Sequence, residues 1–405
     1  MTPHCLIVTS EYPPYTVGGI GRYVAELATR LLRRQRVSVL LVPTYARFGG
    51  HAASPSATLS PCTEAAPEVV MADGAYQAAL ATADGATGLQ AVEDVSRRLA
   101  HGIVDRDRSS APTHLYVQDY ALSPLAAAMQ ALQPSLRVFA ACHLPVYAGF
   151  TYFDKPVGDA IHQVLEARLL HLAERIVVPS TFAAHVLGIT HNVTPDQLVV
   201  LPLGVARSAP VVAPPAGPLR LLAIGRATEQ KGYHFLFEVL RRLLRRDAGV
   251  RLTVLTGTDD DARLVALAAA HGVAAHVDVA PAVAPAAIWP LIDRHHLLVT
   301  TSLYETFGLA VLEAMASARP AIGFSVGALP ELWGAELGAE FGTPVADVDA
   351  LAERIRGLSD DRDRAQRLGQ MALRRAQAFS WERHVAALAR CLDTPMPDSG
   401  GPPWP

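Results

Sequence analysis

Two basic residues lie close together in the stretch GRATEQKG, residues 225–232. Arg226 directly follows the apolar run LRLLAI, and Lys231 comes just before the helical pattern YHFLFEVLRRLL. Lys231 is one of only two lysines in a chain whose other 33 basic residues are arginine. Because a strand-to-helix turn offers free backbone N–H groups that favour anions, two cations there predict a site for a diphosphate. Two solvated surface charges are the alternative.

A second group of reactive side chains lies in SLYETFGLAVLEAMA, residues 302–316. Glu305 follows a predicted strand, and Glu313 falls in a helix made otherwise of Leu, Ala, Val and Met. A buried carboxylate is costly without a partner, and helix side chains lean toward the N-terminus, which brings Glu313 toward Glu305. The pair predicts a pocket that binds hydroxyl groups, as in a sugar nucleotide, whereas a buried Glu–Arg pair is the alternative. The neighbouring candidates are Ser302, Phe307, Gly308 and Leu309.

Length and composition fit a globular protein of two domains. At 405 residues the chain exceeds the usual size of one core, half of its residues are apolar, and 18% are charged. The net charge of -3 gives no reason to bind nucleic acid. Four cysteines without metal-ligand spacing fit a reducing cytoplasm. We expect neither a signal peptide nor a membrane-spanning helix, because no apolar run is long enough.

Short apolar runs alternate with helical patterns along both halves of the chain, which predicts an α/β fold with parallel sheets. The first half includes predicted strands at 5–10 and 114–119, and the second half includes strands at 219–225 and 296–302. A proline-rich stretch at 205–218 separates the halves and reads as a linker. Two doubly wound domains with ligands at the carboxyl ends of their strands are therefore expected.

The order of motifs in the second half resembles a known family. Gly225-Arg226, Lys231-Gly232, Glu305 and Glu313 around Phe-Gly-Leu, and then GFSVGALPEL (323–332) resemble the C-terminal domain of retaining GT-B glycosyltransferases of family 4, glycosyl transferases group 1. The resemblance implies that Arg226 and Lys231 neutralise the donor diphosphate. It also implies that Glu305 contacts the transferred sugar and that Glu313 holds the ribose diol.

The first half resembles the same family in the same order. TSEYPPYTVGGIGRYVAELATRLL (9–32) matches the opening strand, glycine loop and first helix, and AFSWERHVAALARCL (378–392) matches the final helix. His143 ends a predicted strand where the family places a histidine near the reacting sugar, although a lone histidine there is often structural. Further residues carried over are Gly18 and Gly19 at the donor phosphate, and Tyr15 and Asp119 on the acceptor side.

The resemblance sets the expected domain limits and leaves two departures. We expect an acceptor-binding domain at 1–205 with a variable excursion at about 46–110, a nucleotide-sugar-binding domain at 206–378, and a final helix at 379–395 packing on the first domain. The usual glycine pair before Pro-Glu reads Val326-Gly327-Ala328, and the usual His-Asp pair reads Gln118-Asp119. Both departures touch sugar or acceptor recognition.

An Asp-x-Asp pattern in TDDDARL (258–264) offers a rival site. Asp259 and Asp261 imitate the metal-binding motif of the other glycosyltransferase fold. Acidic residues at a helix start are also explained by capping and the helix dipole, which is the reading we favour. We therefore expect no metal and no obligatory cofactor, with a nucleoside-diphosphate sugar as co-substrate.

The expected activity is transfer of a hexose-type sugar, with retention, from a nucleoside diphosphate, most simply UDP, to an acceptor hydroxyl. A small soluble acceptor from natural-product biosynthesis, such as an aminoglycoside, is the first choice. The basic stretch TRLLRRQR (29–36) keeps a lipid-linked acceptor at a membrane surface as an alternative. Further alternatives are a sugar-nucleotide epimerase and a non-catalytic sugar-nucleotide sensor. The sequence leaves the oligomeric state open.

Overall fold

The computed structural model describes residues 3–15, 19–44, 57–60, 63, 66–81, 85–106, 111–146, 160–207, 209–256, 261–280 and 283–394. The chain divides into two compact units. The first unit is Met1–Pro202 together with Trp381–Pro405, and the second unit is Leu203–Ser380. Each unit has its own sheet and its own hydrophobic core, as expected of a domain.

The sheet of the first unit has eight strands in the part of the chain that the structure describes. They are β1 (His4–Thr9), β2 (Arg36–Leu41), β3 (Ala57–Ser60), β4 (Glu68–Met71), β5 (His114–Val117), β6 (Arg137–Ala141), β7 (Arg175–Val178) and β8 (Leu198–Val200). Their order is β3-β4-β2-β1-β5-β6-β7-β8, and every neighbouring pair is parallel except β3 with β4. The order in which successive strands are added to the sheet therefore reverses between β1 and β5. Ligands of such sheets bind at this reversal point.

Helices connect these strands and cover the sheet. They are α1 (Gly19–Leu31), α2 (Ala75–Ala81), α3 (Gly85–Arg106), α4 (Ser123–Leu132), α5 (Ala160–Leu172) and α6 (Thr181–His191). All six residues of β1 are buried, as expected for a parallel sheet covered on both faces. In α1 the buried residues Val24, Leu27 and Leu31 recur at helical spacing and form the face turned to the core.

The segment expected as a variable excursion contains regular structure. The segment includes the strand β4 and the 22-residue helix α3, and the helix was missed. Val92, Ser96 and Ala100 are buried along one face of α3, which packs against α4. Their spacing of four is a helical signal. It was overlooked because small and polar residues, rather than large apolar ones, occupy two of these positions.

The sheet of the second unit has six strands among the described residues. They are β9 (Arg220–Ile224), β10 (Arg251–Leu255), β11 (Val277–Ala280), β12 (Leu297–Thr300), β13 (Ala321–Phe324) and β14 (Gly342–Thr343). The sheet is parallel throughout, in the order β11-β10-β9-β12-β13-β14. Its reversal point lies between β9 and β12. The strands predicted at 219–225 and 296–302 are confirmed as β9 and β12.

The helices of the second unit follow the same alternation. They are α7 (Tyr233–Leu244), α8 (Asp261–Ala270), α9 (Ile288–Asp293), α10 (Leu309–Ala316), α11 (Leu329–Phe341), α12 (Val348–Asp360) and α13 (Arg362–Ala376). The last helix, α14 (Trp381–Asp393), belongs to the first unit and packs against α1. In α7 the apolar residues Leu236, Phe237 and Leu240 are buried, and arginines occupy the exposed face.

The proline-rich stretch read as a linker is fastened to the second unit. Arg319 is 1% exposed, and its guanidinium donates hydrogen bonds to the carbonyl oxygens of Val212 and Ala213 at 3.1 and 3.3 Å. The Nε2–H of His296 donates to the carbonyl of Pro215 at 2.8 Å. Arg207 forms an ion pair with Asp293 at 2.6 Å. Most of this stretch is therefore an ordered part of the second unit.

Candidate functional site

The turn that carries Lys231 is fixed by backbone geometry. Glu229–Lys231 forms one turn of 3-10 helix. Gly232 follows in the left-handed conformation, with φ 59°, and is the N-cap residue of α7. A Cβ on Gly232 would lie 2.3 Å from the carbonyl oxygen of Thr301, so only glycine fits. The Thr301 hydroxyl donates to the carbonyls of Lys231 and Gly232, at 3.1 and 2.9 Å. The turn after β9 is thus fastened to the loop after β12.

The structure brings three of the predicted residues into direct contact. Lys231 Nζ lies 2.5 Å from Glu305 Oε1, and the two side chains are 22% and 13% exposed. The hydroxyl of Ser302 donates to the same carboxylate oxygen at 2.8 Å. Lys231 and Glu305 are 74 positions apart in sequence, yet they meet at the reversal point between β9 and β12. Ligands of open α/β sheets bind at this edge of the sheet, and the Lys231–Glu305 pair there is charged and partly exposed.

Glu305 is held from its other side by the segment that departs from the family pattern. The amide of Ala328 donates to the carbonyl of Glu305 at 2.9 Å. Gly327 has φ 59°, and a Cβ at this position would lie 2.1 Å from the same carbonyl oxygen. Gly327 is the only glycine in Val326-Gly327-Ala328, and a larger residue at this position would clash with the backbone of Glu305.

Gly308 and the helix after it build the next part of the site. Gly308 is the N-cap residue of α10 and has φ 91°. A Cβ at this position would lie 2.6 Å from Leu329 Cδ2. Leu309 begins α10, and Glu313 on this helix is only 2% exposed, as predicted. Phe307 is buried with its ring 6.0 Å from that of Phe379.

Arg226 and Gly225 lie immediately after β9. Arg226 is exposed, and no ion pair joins it to another residue that the structure describes. A Cβ on Gly225 would lie 2.8 Å from Cε of Lys231, so the missing side chain makes room for the lysine. The Tyr233 hydroxyl donates to the Gly225 carbonyl at 2.5 Å, and burial, followed by the nearby Glu305, raises the pKa of Tyr233. The cations Arg226 and Lys231 therefore share one turn.

In the first unit, His143 follows β6, is half-buried, and contacts the buried residues Gln118 and Tyr23. Its Nε2 lies 3.1 Å from Oε1 of Gln118, which follows β5. The ring of Tyr23 meets the His143 ring edge-on, with centroids 4.9 Å apart. Burial, with a smaller contribution from His384, lowers the pKa of His143 to about 4. His143 is therefore a neutral imidazole at pH 7, which suits hydrogen bonding better than proton donation from an imidazolium.

The other predicted residues of the first unit lie in different local environments. The carboxylate of Asp119 accepts a hydrogen bond from the amide of Ala121 at 2.9 Å and caps a short 3-10 turn, while burial raises its pKa. Tyr15 exchanges two backbone hydrogen bonds with Tyr12. Gly19 begins α1 with open space where a Cβ would stand. Gly18 lies outside the described residues.

Only part of the Asp-x-Asp motif at Asp259 and Asp261 lies within the described residues. Asp259 lies outside the described residues, and Asp261 is the first residue of α8. In the described part of the chain, no three or more His, Cys, Asp or Glu side chains are grouped to hold a metal ion. In the same part of the chain, no helix has the length and apolar character to cross a membrane.

Comparisons with known families match both halves. A model of Glycosyltransferase Family 4 matches residues 17–208, and a model of Glycosyl transferases group 1 matches residues 207–375. Together with the two parallel-sheet units, these matches define the protein class. The chain belongs to glycosyltransferase family 4 and has the GT-B fold, which confirms the resemblance seen in the sequence. It is a glycosyltransferase.

Individual relatives agree with this assignment. Glycogen synthase of Mycobacterium tuberculosis is 27% identical over 402 residues, which are 95% of this chain and 93% of that protein. Sucrose-phosphate synthase from Thermosynechococcus elongatus superposes with a TM-score of 0.77 at 17% identity, covering 96% of this chain and 98% of the other. Anabaena HepE, solved with UDP and glucose, gives a TM-score of 0.69 at 17% identity over 96% and 99% of the two chains. The two solved structures show the fold alone.

Sequence reasoning missed part of the supporting structure. Gln230 donates to the carbonyl of Tyr304 at 2.8 Å and helps to fasten the two loops, but an isolated glutamine carries no sequence signal. Gln118 was noticed only as a departure, yet it is the hydrogen-bond partner of His143. His384 on α14 was not singled out, although its ring contacts Tyr23 beside His143. The last two contacts join distant segments, which no local pattern reveals.

Proposed function

We propose that this glycosyltransferase moves a hexose-type sugar, with retention of anomeric configuration, from UDP to a hydroxyl group of a small soluble acceptor. The observation that carries the proposal is the group formed by Lys231, Glu305 and Ser302 beside Arg226. It lies at the reversal point of the second unit's sheet, the position at which open α/β sheets bind nucleotides. UDP is the proposed nucleotide because HepE, with the same fold, was solved with UDP and glucose.

The charged residues of this group have distinct roles in the proposed reaction. When the bond from the anomeric carbon to the diphosphate breaks, negative charge grows on the leaving oxygen atoms. Arg226 and Lys231 would stabilise that charge, aided by the amides of Phe307, Gly308 and Leu309. Glu305 would accept hydrogen bonds from the transferred sugar, and the buried Glu313 would hold the ribose diol.

The acceptor hydroxyl would attack from the face that the diphosphate leaves. Its proton would pass to the departing phosphate oxygen, so no protein base is needed for that transfer. His143 is neutral and would orient a substrate hydroxyl. Asp119 and Tyr15 remain the proposed acceptor-side residues of the first unit, together with the glycine loop at Gly18 and Gly19.

A small soluble acceptor is favoured over a lipid-linked one by the burial of α1. Its apolar residues, including Val24, Leu27 and Leu31, are already used in the core of the first unit. The basic residues Arg33 and Arg34 lie in the turn after α1, so they are exposed but do not extend an apolar face of that helix. An amphipathic membrane helix needs such a face. Natural products of the aminoglycoside type are the acceptors to screen first.

Calorimetric titration of the purified protein with UDP, GDP, ADP and dTDP, each with and without EDTA, tests the donor site. We expect selective binding of UDP that EDTA does not change. Lys231→Ala should weaken binding about tenfold, since a hydrogen bond to a charged group is worth ~1.5 kcal/mol. Glu313→Ala should weaken it as well, because the ribose diol loses its acceptor.

Arg241→Ala is the matched control, because Arg241 is an exposed arginine on α7 that pairs with Glu238. It should bind UDP like the parent protein, whereas Arg226→Ala should lose turnover in a sugar-transfer assay and keep its folding transition. Binding that requires a metal and survives both Lys231→Ala and Glu313→Ala would refute the site and favour Asp259 and Asp261 instead.

A further inference from the structure

Helix α5 contacts both of the loops that carry the proposed residues His143 and Asp119. His143 lies in the loop after β6, and Asp119 lies directly before the 3-10 turn Tyr120–Leu122 that follows β5. The helix packs against that turn. Its residues His162 and Glu166 are four positions apart, so their side chains lie on one face of the helix. Each of these two side chains contacts one of the loops.

Glu166 holds the loop after β6. Its carboxylate oxygens accept the amide N–H of Val146, at 2.8 and 3.0 Å. Glu166 is 2% exposed, and its Oε2 also lies 3.2 Å from Nε2 of His191 on α6. Hydrogen bonds to an ionised group are roughly twice as strong as neutral ones, and burial excludes competing water. The carboxylate is therefore a strong anchor for the Val146 amide.

This anchor restricts the position of His143. On the other side of His143, the amide of Cys142 donates to the carbonyl of Val177 on β7 at 2.9 Å. The chain is thus fastened at Cys142 and again at Val146. A loop this short with both ends fixed has little conformational freedom, so the place of the His143 ring depends on the Glu166 hydrogen bond.

His162 contacts the loop after β5. Its Nδ1 lies 3.4 Å from the hydroxyl of Tyr120, and the two rings meet edge-on with centroids 5.8 Å apart. Tyr120 follows Asp119, whose carboxylate caps the same turn. Burial raises the pKa of Asp119, and His162 is one of the groups that oppose this rise. His162 therefore acts on the turn and on its capping carboxylate.

We propose that Glu166 and His162 are positioning residues for glycosyl transfer, which hold His143 and Asp119 where the acceptor hydroxyl binds. Both act through the loops and contact no substrate. Displacing a reacting group by about 1 Å can cost about a hundredfold in rate, so the loss of such an anchor should affect turnover. The assignment of the two loops to the acceptor rests on the proposed function, whereas their attachment to α5 does not.

Substitutions at Glu166 test the proposal by separating the hydrogen bond from the charge. Glu166→Leu removes the acceptor atoms, whereas Glu166→Gln keeps an oxygen that can accept the Val146 N–H. The assay is transfer from UDP-glucose to whichever aminoglycoside of a panel the parent protein uses. Glu166→Leu should lower kcat/KM for the aminoglycoside about tenfold and leave KM for UDP-glucose unchanged. Glu166→Gln should recover most of this loss.

Two further variants test the same contacts from other positions. Val146→Pro removes the donating N–H and should lower kcat/KM for the aminoglycoside by a similar factor, so the hydrogen bond stays testable if Glu166→Leu does not fold. His162→Leu should lower the same ratio about threefold, because a hydrogen bond of 3.4 Å is weak.

Hydrogen exchange of the Val146 amide, followed by NMR of the full protein, tests the anchor without any substrate. In Glu166→Leu this amide should exchange about tenfold faster than in the parent protein, and the His143 ring signals should shift. In Glu166→Gln both should stay close to those of the parent. A purely stabilising Glu166 would instead change the unfolding temperature and leave the His143 signals and the kinetics as they are.

The controls lie on the same helix or pair with it. Glu93 on α3 pairs with Arg168, two positions from Glu166 and on another face of α5, at 2.8 Å. Glu93→Gln should change neither the exchange of the Val146 amide nor the kinetics. His171→Gln is the control for His162→Leu, because His171 is an exposed histidine on α5.

Folded Glu166→Leu with the parent's amide exchange and kcat/KM would overturn the proposal, and so would an equal loss in Glu166→Gln. A parent protein that transfers sugar to no acceptor of the panel, while the exchange of the Val146 amide still depends on Glu166, would contradict the proposed function. The anchoring of the His143 loop by Glu166 would then stand.

Discussion

The Lys231–Glu305 ion pair joins two residues that were predicted to contact different parts of the donor substrate. The lysine is expected to meet a diphosphate and the glutamate to meet a sugar, yet in the structure they contact each other at 2.5 Å. A diphosphate that binds Lys231 must compete with the Glu305 carboxylate or share the ammonium with it. The carboxylate therefore opposes binding of a nucleotide that lacks the sugar.

Glu305→Gln separates these two effects. Removing one negative charge beside the diphosphate should tighten UDP binding about fivefold to tenfold, or ~1 kcal/mol. Sugar transfer should fall about a hundredfold, because the transferred sugar loses a charged acceptor in the transition state. Calorimetry with UDP and a steady-state transfer assay measure the two quantities.

Glu238→Gln provides the comparison for this charge change. Glu238 pairs with Arg241 and Arg242 on α7 and lies outside the proposed site. It should leave UDP affinity and turnover unchanged. If Glu305→Gln weakens UDP binding as strongly as Lys231→Ala, the two residues support one another and do not compete.

At the scale of elements, the site depends on glycines where loops after neighbouring strands touch. Gly232 and Gly327 both have φ 59°, and both face a backbone carbonyl too closely for a Cβ. Their positions fasten the turn before α7 and the loop before α11 to the segment after β12. The sheet brings the loops together, and the glycines let them approach to hydrogen-bonding distance.

Gly327→Ala tests this dependence against Gly338→Ala. Alanine at 327 must adopt a left-handed conformation and displace the Glu305 carbonyl, so the free energy of unfolding should fall by more than ~2 kcal/mol. Turnover should fall with it, because Glu305 moves. Gly338 lies in α11 with open space around its Cβ position. Alanine there should be neutral or stabilising by up to ~1 kcal/mol.

Urea denaturation followed by fluorescence, together with the transfer assay, measures both glycine variants. Equal stability and equal turnover in the two proteins would show that the approach of Gly327 to Glu305 is not required.

At the scale of the whole molecule, neutral buried histidines link folding to pH. Burial lowers the pKa of His143, His296 and His384 from the ordinary histidine value of 6.5 to about 4. The unfolded chain therefore binds protons on these residues at a pH where the folded chain does not. Stability is fully present above pH 6.5 and is lost as the pH falls toward 4.

His384→Gln should reduce this acid sensitivity. For a shift from 6.5 to about 4, one histidine accounts for about 2 kcal/mol of stability lost between pH 7 and pH 5. The glutamine variant lacks that titration, so its free energy of unfolding should fall less over the same interval. Denaturant titrations at several pH values, followed by the fluorescence of the adjacent Trp381, measure the difference. His171→Gln should keep the parent's pH dependence, and a parallel curve for His384→Gln would contradict the assignment.

The sequence by itself determined the class of fold and much of the proposed donor site. Alternation of apolar runs with helical patterns is a local property, and it correctly predicted strands such as β9 and β12 and the helices that follow them. The positions of Arg226, Lys231 and Glu305 next to strand ends follow from the same alternation. Because the carboxyl ends of parallel strands share one edge of a sheet, chemistry placed after strands could be predicted to converge.

Only the tertiary structure decided which of these groups meet. The contact of Lys231 with Glu305 spans 74 residues, and that of Tyr23 with His384 spans 361. Strand order and helix packing create such contacts, and neither is encoded by a local pattern. The same applies to Gly327 and Gln118, whose importance depends on what lies opposite them. The types and spacing of the reactive residues can be read from the sequence. The protonation state of a histidine, the competition of Glu305 for Lys231, and the close contacts of the glycines depend on neighbours that only the folded chain provides.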